Sequence, residues 1–246
     1  MRSATTGPAG LVAEPLEQET IKRVTRRMIP LLFLCYYAAY LDRVNVGFAA
    51  LQMNKALGLT AAAFGLGGGI FFVGYFLAEI PSNLIMERVG ARIWIARILL
   101  TWGVISGLTA IVWSEWSFYG IRFLLGLAEA GYYPGIILFL TWWFPSAYRS
   151  RMIALFMTAI PVAVITGSWA SGFILDMDGL WGLAGWQWLF IIEALPAVIL
   201  GVVVYFTLTD RPEQAQWLTE PQRTWLSGRL AAERIRRERI RHSALG

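Results

Sequence analysis

The chain has 246 residues, of which 57% are hydrophobic and only 15% are charged. Soluble domains carry about 25% charged residues, so this chain has too little polar surface to cover itself in water. This composition excludes a water-soluble domain, and the formal net charge of +5 must be interpreted from the places where the basic residues lie.

Six apolar segments are long enough to cross a bilayer as helices, which takes about 17–25 predominantly apolar residues. In chain order, spans 1 to 6 are predicted at residues 29–51, 62–86, 93–113, 117–143, 152–174 and 185–208. The predicted fold class is an all-α membrane protein. It comprises an N-terminal segment (1–27), a six-helix transmembrane bundle (28–208) and a basic tail or linker between two halves (209–246).

The basic residues follow membrane sidedness. Most of the 21 Lys and Arg residues lie before span 1, between spans 2 and 3, between spans 4 and 5, or after span 6. The opposite connections hold Lys55 alone. By the positive-inside rule both termini are expected in the cytoplasm, in a plasma membrane of the bacterial inner-membrane type. Nucleic-acid binding is a poor interpretation of this charge.

Span 1 contains the stretch "YLDRVNVGFAA", in which Asp42 and Arg43 stand side by side in an apolar helix. A charge at the bilayer centre costs about 2.5–3.5 kcal/mol on insertion scales, and such residues usually face a partner or a cavity. Asp42 and Arg43 are therefore candidates for a functional site. The competing interpretation is that intramembrane charges only neutralise one another between packed helices.

Spans 2 and 4 carry matching polar stripes. In span 4, Arg122, Gly126, Glu129 and Tyr133 lie on one helical face, and Arg122 and Glu129 are about 10 Å apart along the axis. The other stripes are Tyr36, Tyr40, Arg43 and Gly47 in span 1, and Tyr75, Glu79 and Asn83 in span 2. In span 1, Asp42 is turned about 100° away from Arg43. An aqueous pocket lined by spans 1, 2 and 4 would collect these stripes.

The chemistry of the stripes points to an anion and a proton. A guanidinium in a low-dielectric cavity binds a carboxylate through two hydrogen bonds, so Arg43 and Arg122 are predicted to bind an anionic substrate. Burial favours the neutral form of a carboxyl group and a nearby arginine favours the charged form. Asp42 or Glu129 is therefore predicted to exchange protons near neutral pH. Glu79 and Glu193 are left undecided between a functional and a structural role.

Glycines and repeats suggest how the helices pack. Gly65/Gly69 and Gly131/Gly135 are pairs of small residues spaced to permit close helix contact. Spans 1 and 4 both carry charges near mid-depth, as expected if two inverted three-helix repeats form the bundle.

Enzyme motifs do not occur in the sequence. With one histidine and one cysteine, it offers no His/Cys metal cluster and no nucleophile–histidine pair. No phosphate-binding loop of the G-x-x-x-x-G-K-S/T type is present. An enzyme is not expected, and neither is a metal or other cofactor.

Several longer stretches resemble a known family. They are "YLDRVNVGFA", "GYFLAEIPSNLIMERVGARIW", "RFLLGLAEAGYYPGIILFLTWWFPSAYRSRM" and "LAGWQWLFIIEALPAV". With these, the chain resembles the N-terminal six-helix half of a major facilitator superfamily transporter. It is most similar to the anion:cation symporter branch, which includes permeases for sugar acids, tartrate, phthalate and other aromatic carboxylates.

The resemblance implies roles for individual residues. It implies substrate contacts by Tyr40, Arg43, Tyr75 and Arg122, and proton coupling by Asp42 and Glu129. The family's cytoplasmic gating loop matches Glu87, Arg88, Gly90 and Arg92, with Asn83 where the family signature has glycine.

The implied function is proton-coupled symport of a small organic anion by alternating access, with the lipid bilayer and the anion as partners. A complete family member has twelve helices, so one wall of the cavity is absent from these 246 residues. Three interpretations of this length are left open. The chain is a fragment, the product of a truncated reading frame, or a half that pairs with a second six-helix half or with a second copy of itself. The alternative function is an assembly partner that is inactive alone.

Overall fold

The computed structural model describes the backbone of residues 8–245 and the side chains of residues 15–236 and 238–240. This part of the chain is helical and contains no strand. Five segments in it are long and apolar enough to cross a membrane. They are Ala61–Val89, Ala91–Ile111, Glu115–Trp143, Ser146–Leu175 and Gly185–Thr207, and they match predicted spans 2 to 6 closely.

Span 1 lies in a helix much longer than the prediction, α1 (Pro8–Leu57), which has 50 residues. Asp42, Arg43 and Asn45 lower the hydropathy of its membrane segment, and α1 is not among the five apolar spans. The helix nevertheless packs against spans 5 and 6, so it completes a six-helix bundle. The predicted N-terminal segment is helical from residue 8 onward, and residues 1–7 lie outside the described residues.

The remaining helices follow in order. They are α2 (Ala61–Val89), α3 (Ala91–Leu108), α4 (Glu115–Glu129), α5 (Tyr132–Trp143), α6 (Ser146–Met157), α7 (Ala159–Leu175), α8 (Gly185–Thr207) and α9 (Glu220–Leu245). A 3₁₀ turn at Thr109–Ile111 prolongs α3. Span 4 consists of α4 and α5, and span 5 consists of α6 and α7.

The helix packing has the pattern of two inverted three-helix repeats. Span 1 packs on span 5 as span 4 packs on span 2, and span 1 packs on span 6 as span 4 packs on span 3. Spans 3 and 6 pack most extensively on each other, as expected at the axis that relates the repeats. Exchanging spans 1, 2 and 3 with spans 4, 5 and 6 therefore preserves the arrangement.

Close contact between α2 and α4 depends on glycine. A Cβ on Gly126 would overlap the carbonyl oxygen of Phe71, and one on Gly74 would lie 2.5 Å from the carbonyl oxygen of Phe123. The absence of side chains here lets the two backbones approach and brings the polar stripes of spans 2 and 4 together.

The predicted small-residue pairs have different outcomes. Gly131 and Gly135 do lie against α2, where added Cβ atoms would meet Ser82 and Met86. Gly65 and Gly69 make no such contact within the described residues, since added Cβ atoms there would have no neighbour within 4 Å. Their face of α2 is open because no described helix packs on it.

The basic segments meet at one end of the bundle, which we call the basic end. There the Tyr148 hydroxyl donates to Glu17 near the start of α1 at 2.8 Å. The backbone N–H of Ser146 donates to Glu233 of α9 at 3.0 Å, and that of Arg92 to Asp210 at 2.7 Å. The start of α1, the 2–3 and 4–5 connections and the tail thus lie on one side, as the charge pattern predicts.

Candidate functional site

Two charges of the predicted site form an ion pair between spans 1 and 4. A guanidinium nitrogen of Arg43 lies 2.5 Å from Oε1 of Glu129. The Glu129 side chain is 2% exposed, whereas that of Arg43 is 35% exposed. The carboxylate is thus enclosed by protein, and the guanidinium is reachable from the open side of the bundle.

A break in span 4 fixes the position of Glu129. It is the last residue of α4, after which Ala130 leaves the helical conformation (φ −55°, ψ 134°) and Gly131 has φ +81°. Glycine adopts this left-handed conformation without steric cost. A carboxylate at a helix C-terminus is disfavoured by the helix dipole, so the pair with Arg43 compensates an unfavourable position.

Asp42 points to a different side of α1 from Arg43, as the helical geometry predicts. Its carboxylate accepts a hydrogen bond from Trp102 Nε1 at 3.0 Å and another from the Ser106 hydroxyl. Asp42 is 6% exposed. It therefore faces span 3 inside the bundle and does not line the same surface as Arg43.

Arg122 lies over the ring of Phe71, with its guanidinium carbon 4.8 Å from the ring centroid. Its Nε is buried without a hydrogen-bond partner in the described part of the chain. Arg122 lies within electrostatic range of Asp42, Arg43 and Glu129. We call these four residues the charge cluster. It holds two positive and two negative groups.

Two predicted tyrosines flank the Arg43 side of the cluster. The guanidinium of Arg43 lies 5.6 Å from the ring centroid of Tyr40, and Tyr75 lies within electrostatic range of Arg43 and Glu129. Tyr36 packs edge-on against Tyr40 and stacks on Phe156 of span 5, with centroids 4.3 Å apart. Aromatic faces and hydroxyl groups thus border the exposed guanidinium.

The predicted gating loop is separate from the cluster and lies at the basic end. Gly90 has φ +100°, and a Cβ on it would lie 2.9 Å from Oδ1 of Asp210. The same Asp210 oxygen accepts the backbone N–H of Arg92 in the first turn of α3. Glu87 and Arg88 are exposed, and Glu87 borders a cavity of about 550 Å³ together with Trp142 and Arg211.

The structure brings Tyr40, Arg43, Tyr75, Arg122 and Glu129 together, and it turns Asp42 toward span 3 on an adjacent side of α1. Sequence reasoning missed the partners of Asp42. The signal was available, because Trp102 and Ser106 are four residues apart and so share one face of span 3. It also missed the Asn45–Ser171 hydrogen bond of 3.1 Å between spans 1 and 5.

The two undecided carboxyl groups differ in surroundings. Glu193 is 6% exposed, whereas Glu79 is only partly buried, and its backbone carbonyl accepts a hydrogen bond from Asn83. Within the described residues, no three His, Cys, Asp or Glu side chains are grouped in a way that could hold a metal ion.

Comparison with known sequences identifies the family. The sequence model described as Major Facilitator Superfamily matches residues 32–244. A protein of Agrobacterium vitis named "Putative tartrate transporter" is 56% identical over 236 residues, which is 96% of this chain and 53% of that protein. The "Inner membrane transport protein RhmT" of Escherichia coli K12 is 42% identical over 87% of this chain and 50% of that protein. The chain thus spans about half the length of these relatives.

A solved structure shares the fold. It is that of a bacterial homologue of the human lysosomal transporter Spinster in an inward-facing and occupied conformation. It matches with a TM-score of 0.69 at 20% sequence identity, over 75% of this chain and 44% of that one. At this identity the match establishes the fold of the helical bundle and no further property.

Proposed function

The chain belongs to the major facilitator superfamily, a family of multi-pass membrane transporters, and from this premise we propose that it is the N-terminal half of a proton-coupled symporter for small organic anions. The observation that carries the proposal is the Arg43–Glu129 ion pair. It joins a cation that is 35% exposed with a buried carboxylate inside a bundle of apolar helices.

The anion preference is supported by the two arginines. Arg43 of span 1 and Arg122 of span 4 lie within electrostatic range of each other. Each guanidinium can bind a carboxylate through two hydrogen bonds. A dicarboxylate would therefore suit the pair, and the name of the Agrobacterium vitis relative refers to tartrate. Tyr40 and Tyr75 would supply hydroxyl groups and ring faces beside the bound anion.

Proton coupling is supported by competition for Arg43. With Glu129 ionised, its carboxylate holds one guanidinium nitrogen of Arg43, and an incoming substrate carboxylate competes with it for that nitrogen. Protonation of Glu129 removes its charge and leaves Arg43 free to bind the substrate. Substrate and proton would then bind together because each favours the other, which is the thermodynamic requirement for symport.

Alternating access requires a second group of helices that closes the other side of the substrate cavity. The exposed helix faces of this chain support such a partner. The two least buried spans are span 2, with 22% of its apolar window buried, and span 5, with 28%. These two spans are equivalent under the repeat. A second six-helix half, or a second copy of this chain, would cover these faces and close the cavity over Arg43. In the alternative function, the chain is inactive alone and serves as the partner of such a half.

Localisation follows from the same proposal. We expect an inner membrane of the bacterial type, with the basic end in the cytoplasm, because the basic connections gather at that end.

Uptake into proteoliposomes tests the function. The probes are tartrate, gluconate and benzoate, each with and without an inside-alkaline pH gradient. The proposal expects uptake that the gradient increases, and its loss in the Arg43→Ala/Arg122→Ala double variant. Lys55→Ala is the control, because Lys55 lies at the end of span 1 away from the basic end, and this variant should transport normally. Equal uptake in wild type and the double variant would exclude this substrate site.

A second arm separates the alternative. The chain is reconstituted alone and together with the second half of the Agrobacterium vitis relative. Uptake only in the combined sample favours the alternative, in which the chain is inactive alone and acts as the partner of a second half. No uptake in either sample overturns both the proposed and the alternative function.

A further inference from the structure

Glu193 is a buried carboxyl group that the charge cluster does not use. It lies in the middle of α8 and is 6% exposed. Both of its carboxyl oxygens are buried without a hydrogen-bond partner in the described part of the chain. A buried polar group without a partner is costly, and an ionised one is far more costly. This position needs a chemical explanation.

The immediate surroundings of Glu193 are polar but not basic. The Ser171 hydroxyl of α7 lies beside its carboxyl group, and the same hydroxyl contacts Oδ1 of Asn45 at 3.1 Å and the carbonyl of Gly167 at 2.7 Å. Nδ2 of Asn45 is buried without a partner among the described residues. Spans 1, 5 and 6 therefore enclose a small polar chamber formed by Asn45, Ser171 and Glu193.

The ionisable groups that face this chamber are all carboxyl groups. From α1, Asp42 lies within electrostatic range of Glu193. From α3, the described helix contributes only Arg92 and Arg97, and Arg97 is about 15 Å along the axis from Gly107, which lies against Ala194.

The other packed helices add no cation. α7 has no ionisable residue, and the only other ionisable residue of α8 is Tyr205, near its end. Arg43 is engaged by Glu129. No ion pair of Glu193 occurs among the described residues. Arg122 interacts with Asp42 but is not among the groups that act on Glu193, so an ionised Glu193 would face the like charge of Asp42 without a cation of its own.

We propose that Glu193 is a second proton-binding site of this protein, on the opposite side of α1 from Glu129. A proton from water binds one carboxyl oxygen and makes Glu193 neutral, and the new hydroxyl can donate to Ser171. Release of that proton to water leaves two carboxylates, Asp42 and Glu193, across the α1–α8 contact. Proton occupancy then controls how closely these helices pack. The use of this site in the transport cycle rests on the proposed function.

Infrared spectroscopy of the purified chain tests the bound proton directly. A protonated carboxyl group has a carbonyl stretching band apart from the bands of a carboxylate, and the band shifts in D₂O. We expect the wild type at neutral pH to show such a band and Glu193→Gln to lose it. The control Glu213→Gln, at an exposed position, should keep it. An unchanged carbonyl band in Glu193→Gln overturns the proposal. Loss of a carboxylate band in Glu193→Gln also overturns it, because Glu193 would then be ionised in the wild type and paired with a bound cation.

Transport measurements test whether the proton is exchanged. Uptake driven by a pH gradient is compared with substrate counterflow, which needs no net proton movement. Glu193→Asp keeps an exchangeable proton, whereas Glu193→Gln is neutral and cannot titrate. We expect the Glu193→Gln variant to lose the uptake that depends on the pH gradient and to keep only counterflow. The Glu193→Asp variant should still accumulate substrate when the gradient is applied. Equal behaviour of the two variants, whether active or inactive, overturns a role in coupling.

The two experiments fail independently. If the proposed function is wrong, the wild type shows no gradient-driven uptake, and the infrared band still decides whether Glu193 carries a proton.

Discussion

The side chains of Arg43 and Glu129 form an ion pair with a shortest distance of 2.5 Å, although 86 positions separate them in the chain. The pair links the middle of span 1 to the break in span 4. Glu129 holds one guanidinium nitrogen of Arg43, so a second carboxylate that approaches this nitrogen competes with Glu129 for it.

Removal of Arg43 should destabilise the bundle more than removal of the whole pair. Arg43→Ala leaves the buried Glu129 without its cation, and loss of one partner of a buried pair costs about 3–5 kcal/mol. We expect about 3 kcal/mol, because Arg43 is 35% exposed. The free energy of unfolding is measured by denaturant titration in mixed micelles.

The control for this prediction is Arg43→Ala/Glu129→Gln, which removes both charges. It should recover most of the lost stability, since no uncompensated charge is left. A double variant as unstable as the sum of the single variants would contradict an interaction between the two residues.

Gly126→Ala should separate α2 from α4. Its new methyl group would overlap the carbonyl oxygen of Phe71, and overpacking of this kind costs about 1–3 kcal/mol. Gly120→Ala is the matched control, because an added Cβ there meets nothing within 4 Å and alanine is the better helix former. Thermal unfolding in detergent should show a lower midpoint only for Gly126→Ala, and equal midpoints would show that this contact is not tight.

Asp210→Ala should loosen the start of α3. The carboxylate accepts the backbone N–H of Arg92, and loss of such a cap costs about 1 kcal/mol. Limited trypsin digestion should then cleave faster after Arg88 or Arg92. Asp210→Asn keeps an acceptor and should be cleaved at nearly the wild-type rate. Unchanged cleavage in both variants would show that Asp210 does not hold this connection.

The basic end should face the cytoplasm. In a Cys35→Ala background, Lys55→Cys is expected to react with a membrane-impermeant maleimide in intact cells, because Lys55 is exposed at the opposite end of span 1. Glu213→Cys should react only after the cells are opened. If Glu213→Cys reacts in intact cells and Lys55→Cys does not, the basic end faces away from the cytoplasm and the predicted topology is wrong.

The spans could be predicted because hydropathy and length directly express the cost of placing backbone and side chains in lipid. Thus the span predicted at 62–86 is the helix Ala61–Val89 in the structure, and the span predicted at 185–208 is the helix Gly185–Thr207. The length of α1 could not be predicted, since its first part is polar and carries no membrane signal; in the structure α1 also packs against α6 and α9.

Within the site, the different directions of Asp42 and Arg43 follow from helical geometry and were predicted. The Arg43–Glu129 pair did not follow from either stripe, because its geometry depends on the break at Gly131 and on the close packing of spans 2 and 4. At Gly65 and Gly69 the spacing likewise shows where close contact is permitted and not where a neighbour lies.

Two helices at the basic end receive their N-terminal hydrogen bonds from residues that come much later in the chain. Asp210 accepts from the first turn of α3, and Glu233 accepts from Ser146 at the start of α6. During synthesis, which proceeds from the N-terminus, both helix starts leave the ribosome before these carboxylates exist. The 2–3 and 4–5 connections can therefore reach their final conformation only after residues 210 and 233 have been translated, so folding at this end must wait for segments made well after the helices they hold.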